Sequence, residues 1–174
     1  MDTGGVGVFG LSVPTATKEA TNVDELDRKI VQLLQEDATL SVREIGETVG
    51  LSATPCWRRI RNLEERGVLT KRVTLVDPAK INLGVSSLVF IRTNEHSREW
   101  LERFVEAVAD IPEIIEAYRT SGEVDYVLKV LVPDLSAFDD FYKRLIDKIE
   151  LYDMRSTFIL EAVKHSTTLP LDYV

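Results

Sequence analysis

The sequence predicts an α+β protein in two domains, three short helices followed by a β-α-β-β-α-β unit, and three observations predict it. Apolar residues recur at helical spacing through residues 24–66, the pattern changes to strands interleaved with two amphipathic helices from residue 85, and a Pro-, Asn- and Gly-containing stretch at 77–84 separates the regimes. A chain of 174 residues, 44% hydrophobic and 29% charged, has room for two small cores. The expected boundaries are a disordered tail at 1–22, a first domain at 23–76, a hinge at 77–84, a second domain at 85–166 and a C-terminal tail at 167–174.

Residues 1–22 contain Gly4, Gly5, Gly7, Gly10 and Pro14 and show neither a 3.6 nor a 2.0 period, which is why they read as disordered. Helix one begins at Asp24, an acidic residue suited to the N-cap, and carries Leu26, Ile30, Leu33 and Leu34 on one side. Ser41, Val42, Arg43 and Glu44 have the capping-box pattern, and Val42, Ile45 and Val49 make the apolar stripe of helix two. Gly50 supplies its left-handed stop. Ser52 is the next N-cap candidate and Pro55 falls in the first turn of helix three, where a missing N–H costs little.

The connection between helices two and three is therefore only a few residues long. Helices joined so tightly cross steeply and pack together on helix one, which is the helix-turn-helix arrangement, and Gly46 sits where such a crossing leaves no room for a side chain. A plain three-helix bundle would share the stripes, so the faces of helix three carry further weight. At 100° per residue Ala53, Cys56, Ile60 and Leu63 point inward, whereas Thr54, Pro55, Arg58, Asn62 and Glu65 point outward with Arg59 and Arg61 flanking. Cys56 reads as a small buried hydrophobe, not a reactive thiol. Trp57 borders the inward stripe, where it either completes the core or lies against a DNA backbone; the core is the reading taken here. Gly67 ends the helix, and residues 68–76 read as extended β structure in the position of a wing.

Net charge is −8, an apparent argument against a polyanionic partner. The acidity is concentrated beyond residue 84, however, and residues 24–83 are balanced. Between residues 55 and 72 lie Arg58, Arg59, Arg61, Arg66, Lys71 and Arg72 against only Glu64 and Glu65. An arginine-bearing helix of major-groove size beside a basic wing points to double-stranded DNA. The residues placed to meet it are Ser52, Thr54, Pro55, Arg58, Arg59, Arg61 and Asn62 on the helix, with Lys71 and Arg72 reaching phosphate from the wing.

In the second domain, residues 85–93 form a strand, Trp100, Leu101, Phe104, Val105 and Val108 a helix, residues 114–120 and 126–132 two strands, Leu135, Phe138, Phe141, Leu145 and Ile149 a helix, and residues 154–163 a last strand. This βαββαβ order is the ferredoxin-like layout. Its sheet leaves one apolar face uncovered, which predicts at least a homodimer. The lone Cys56 excludes an internal disulfide, and two histidines, His96 and His165, give no zinc spacing; no cofactor, metal or membrane span is expected, and the location is cytoplasmic.

Several motifs together resemble the Lrp/AsnC family of feast/famine transcription regulators. They are Leu26-Asp27-Arg28-Lys29-Ile30, Val49-Gly50-Leu51-Ser52 with Thr54-Pro55-Cys56, residues 58–64, Gly67-Val68-Leu69, Ser121-Gly122 with Asp125-Tyr126, Val132-Pro133-Asp134-Leu135, and Glu161-Ala162-Val163-Lys164. Trp57 and Arg58 depart from the family's usual residues. The resemblance implies a winged helix-turn-helix DNA-binding domain, pairing through the C-terminal sheets into dimers that often assemble as octamers, and an amino-acid effector held between dimers. Carried over by position, the effector residues are Ser121, Gly122, Glu123, Asp125 and Tyr126, with Thr157 on the last strand. Two other readings are kept: an architectural DNA organiser with no amino-acid effector, and an enzyme similar to the sirohaem decarboxylases. The enzyme would need convergent acid, base or anion-binding groups, and neither His96 nor His165 has a visible partner, so no catalytic residues are expected.

Overall fold

The computed structural model describes residues 23–173, and the expected tail at 1–22 lies outside them. Within this span the chain forms two compact units, one from residues 23–75 with 163–173, the other from residues 76–162.

The first unit is three helices, α1 (Glu25–Glu36), α2 (Val42–Val49) and α3 (Ala53–Glu65). The Asp24 side chain caps α1 by accepting from the Asp27 N–H, and the capping box on α2 is complete in both directions between Ser41 and Glu44. Gly50 stops α2 at φ 76°, a left-handed value at which a side chain would be strained. Gly46 is required by packing instead, since a Cβ there would lie 2.7 Å from the Leu51 carbonyl oxygen and 3.5 Å from the Cys56 Cβ. The tight helix-turn-helix crossing predicted from Gly46 is therefore the observed one. Ile30, Ile45, Cys56, Ile60 and Leu63 form the core of this unit.

One expectation fails here. Residues 68–76 form no ladder: they run without regular structure, with Val73, Leu75 and Val76 more than half exposed. Their β propensity is real, but a strand needs a neighbouring strand to complete its ladder of N–H and C=O groups, and no strand among the described residues pairs with this segment. The C-terminal residues return to this unit. Leu171 packs against the helical core, and the side-chain amide of Gln35 brackets the backbone of Leu169, accepting from its N–H at 2.7 Å and donating to its carbonyl at 3.3 Å.

The second unit is a four-stranded antiparallel sheet of β1 (Val85–Arg92), β2 (Ile114–Arg119), β3 (Tyr126–Val132) and β4 (Asp153–Phe158) in the order β2-β3-β1-β4, with α4 (Arg98–Ala109) and α5 (Leu135–Lys148) packed on it. This is the ferredoxin-like order expected. A 3-10 turn, Pro78–Ile81, precedes β1. Tyr126, Leu128, Val130 and Val132 alternate inward along β3 and meet Val89, Ile91, Trp100, Phe104 and Phe141 in the core. The last strand is shorter than the expected 154–163: beyond Phe158 one further backbone bond, Ile159 N–H to Ser86 C=O, closes the pairing, and Leu160 and Val163 are exposed. On the sheet face away from the helices, Leu88, Phe90, Val127 and Leu131 alternate with the buried positions and are only half-covered.

Candidate nucleic-acid interface and effector loop

The α3 helix presents its arginines in different electrostatic states. Arg58 is exposed and makes no ion pair among the described residues. Arg61 is half-exposed and pairs along its own helix with Glu64 at 3.3 Å and Glu65 at 3.8 Å, contacts that solvent screens. Arg59 is different. Its guanidinium lies 2.7 Å from Asp24 Oδ2 and 2.7 Å from Asp27 Oδ1, and Asp27 is buried. Hydrogen bonds from the Asp27 backbone N–H and from Arg59 hold the Asp24 carboxyl below its ordinary range, while the Asp24 and Asp27 carboxylates raise the Arg59 pKa. Arg59, expected to meet DNA, is thus already engaged inside the protein: its guanidinium ties α3 to the start of α1 and sets a cation beside the buried Asp27 carboxylate.

Ser52, Thr54, Pro55 and Asn62 are exposed beside Arg58, and Asn62 accepts from Arg66 at 3.1 Å. The Ser52 hydroxyl makes no cap bond to its own helix, which leaves it available to an outside acceptor. Pro55, Arg58, Arg59 and Asn62 with Asp27 line a shallow groove on this side. Lys71 and Arg72 sit on the exposed segment after the helix, with Arg72 3.8 Å from Glu64. Gly67, at φ 71°, turns the chain out of α3 while the Val68 N–H caps the Leu63 carbonyl at 2.9 Å. The Cys56 thiol is fully buried, and burial pushes its pKa up, as for an inert core residue. Trp57 overturns its core reading, being 52% exposed: the inward stripe is already filled by Cys56, Ile60 and Leu63.

In the second unit the loop between β2 and β3 exposes Ser121, Gly122 and Glu123, with Gly122 at φ 135°. Asp125 is half-buried and occupied: its Oδ2 accepts the Thr93 N–H at 2.9 Å, its own N–H donates to Ile91 C=O, and its C=O accepts from the Thr120 N–H. It staples the ends of β1 and β2 to the loop. Tyr126 faces the core, its ring 4.4 Å from Phe104 and 5.7 Å from Trp100 by centroid, and burial raises its phenol pKa. Tyr126 therefore stands behind the loop, not in it, because strand alternation turns it to the helix side while Glu123 faces out. Thr157 is exposed on β4 opposite Leu88, on the helix-free face. Sequence reasoning missed Arg92 and Arg155, which with Glu123 and Val124 line a cleft beside this loop. Only the register that places Arg155 opposite Phe90, two residues from Arg92, brings them together. Among the described residues no group of His, Cys, Asp and Glu is arranged to hold a metal ion, and no helix is long and apolar enough to cross a membrane.

Comparison with known proteins agrees with this geometry. Residues 23–64 match the AsnC-type helix-turn-helix domain and residues 86–169 the Lrp/AsnC ligand binding domain. The chain is 50% identical over 149 residues to the glutamate uptake regulatory protein of Zymomonas mobilis, covering 86% of this chain and 91% of that one. It is 44% identical over 151 residues to the DNA-binding transcriptional activator DecR of Escherichia coli, covering 86% and 99%. Among solved structures, an AsnC family transcriptional regulator from Agrobacterium tumefaciens superposes with TM-score 0.83 at 57% identity, covering 86% and 98%. A transcriptional regulator from Neisseria meningitidis in complex with L-Met gives TM-score 0.82 at 34% identity, covering 86% and 97%.

Proposed function

Because the chain belongs to the Lrp/AsnC family of transcriptional regulators, we propose that it reads duplex DNA through the outward side of α3 and answers to an amino acid bound at the β2–β3 loop. The observation that carries the first half is the Arg58 guanidinium, exposed and without a partner among the described residues, beside Ser52, Thr54 and Asn62. A cation held free on a helix of this size is available for a guanine edge or a phosphate. Arg61, Lys71 and Arg72 add phosphate contacts, which raise affinity without reading sequence.

At the loop, Ser121, Gly122 and Glu123 offer backbone N–H groups and a carboxylate to the two ends of a zwitterion. Asp125 sets the loop's shape, and Thr157 contributes from the helix-free face. The half-covered Leu88, Phe90, Val127 and Leu131 favour a homodimer paired through that face, with higher assemblies such as an octamer built from dimers. In such an assembly a ligand that prefers one arrangement alters how many DNA half-sites are held together. No catalytic step is assigned, and the protein works in the cytoplasm where its DNA lies.

A thermal-shift screen against the twenty amino acids tests the sensing half, since a ligand preferring the folded state raises the unfolding midpoint. One or a few amino acids should raise it, and Glu123→Ala should blunt the response. No shift with any of them, together with footprints indifferent to sequence and to amino acids, would favour an architectural role.

A further inference from the structure

Trp57 is unexplained by the packing of its own unit. It is the fifth residue of α3, stands 52% exposed, and is one helical turn before Arg61 on the same flank, with Thr54 and Arg58 further round on the outward side. Leaving half an indole in water forgoes much of the free energy its burial would bring. The other tryptophan, Trp100, shows the alternative: it is 2% exposed, stacked on Phe104 at 5.1 Å, and its Nε1–H donates to the Glu150 carbonyl at 3.1 Å.

The surroundings of Trp57 select its partner. Among the described residues Arg58 has no counter-charge and Arg61 has only solvent-screened ones. An apolar protein surface laid over Trp57 would have to desolvate these cations without compensation, whereas a polyanion gains from both. We propose that Trp57 is a duplex contact at the rim of α3, its ring lying against a deoxyribose and its Nε1–H donated to a phosphate oxygen, so that it sets the depth of the helix in the groove. This rests on the DNA-binding reading above. An uncharged contact to the backbone displaces no counterion and reads no base, so it adds affinity equally on all sequences and at all salt concentrations.

The two tryptophans make this directly measurable in the full-length chain. A labelled duplex from the region upstream of the protein's own gene, and a scrambled one, are titrated with protein while duplex anisotropy and tryptophan emission are followed together. Trp57 emission should change and saturate in step with anisotropy, and W57F, which leaves Trp100 alone, should show no change. W57A should weaken both duplexes by the same factor, about tenfold, with an unaltered salt slope and an unaltered unfolding midpoint. The proposal is overturned if anisotropy reports binding while emission stays flat, if W57A binds as wild type does, or if its loss is confined to one sequence. Absence of any anisotropy change with the wild-type protein would bring down the DNA-binding reading itself and the proposal with it.

Discussion

Replacing Arg59 with alanine separates a structural arginine from a DNA-facing one on the same helix. The substitution leaves the buried Asp27 carboxylate without the guanidinium that lies 2.7 Å away, and it also frees Asp24, which caps α1. Breaking a fully buried ion pair costs about 3–5 kcal/mol and an exposed one about 0–1. Here Asp27 is 9% exposed in its side chain while Arg59 is 32% exposed, so the loss falls between the two, at about 2 kcal/mol. For a unit of this size that lowers the unfolding midpoint by roughly 10 °C. Calorimetry should show the drop, and amide exchange should place it in α1 and α3. Asp27→Asn combined with Arg59→Ala should recover part of the loss, because a neutral amide is less costly to leave unpaired. An Arg59→Ala protein with an unchanged midpoint but a reduced salt dependence of DNA binding would refute the clamp and return Arg59 to the DNA face.

Gly46→Ala should destabilise the helical unit by about 2 kcal/mol, read by chemical denaturation, because the new Cβ meets the backbone oxygen of Leu51, which cannot move aside as a side chain could. Asp125→Ala should cost about 1–2 kcal/mol with no ligand present, since the Thr93 N–H loses its acceptor; an unchanged midpoint would show that the staple is dispensable. Leu171→Asp should lower the midpoint of the helical unit and increase exchange in α1, whereas a free tail would tolerate it silently. The Asp24 carboxyl is held low by the Asp27 N–H and Arg59, so its contribution to stability is complete above the ordinary aspartate range and is lost as pH falls through the lower folded value. Midpoints measured from pH 7 down to 2 should thus fall in the acid limb, and Asp24→Asn should flatten part of that limb.

The elements were legible because their causes are local. Capping at Ser41 and Glu44, the stop at Gly50, the crossing at Gly46 and the strand alternation from Tyr126 to Val132 each depend on neighbours in sequence. What the local pattern did not carry depended on partners far along the chain. The spacing that put Arg59 beside the outward face said nothing of Asp24 and Asp27, thirty-odd residues earlier. Residues 68–76 have the composition of a strand but pair with no strand among the described residues, and the seat of Leu171 on the helical core joins the two ends of the described chain. At the loop, Ser121, Gly122 and Glu123 lie exposed where turn chemistry puts them, while Tyr126 is taken inward by the alternation that its own strand imposes.

The outward side of α3 is best tested by the salt dependence of duplex affinity for the wild-type chain and for Arg58→Ala. If Arg58 meets the duplex at a phosphate, the variant binds more weakly, and its log–log slope is shallower by about 0.9, the value of one released counterion. Identical affinity and slope in the two proteins would contradict the claim that this face of the helix is the one DNA sees.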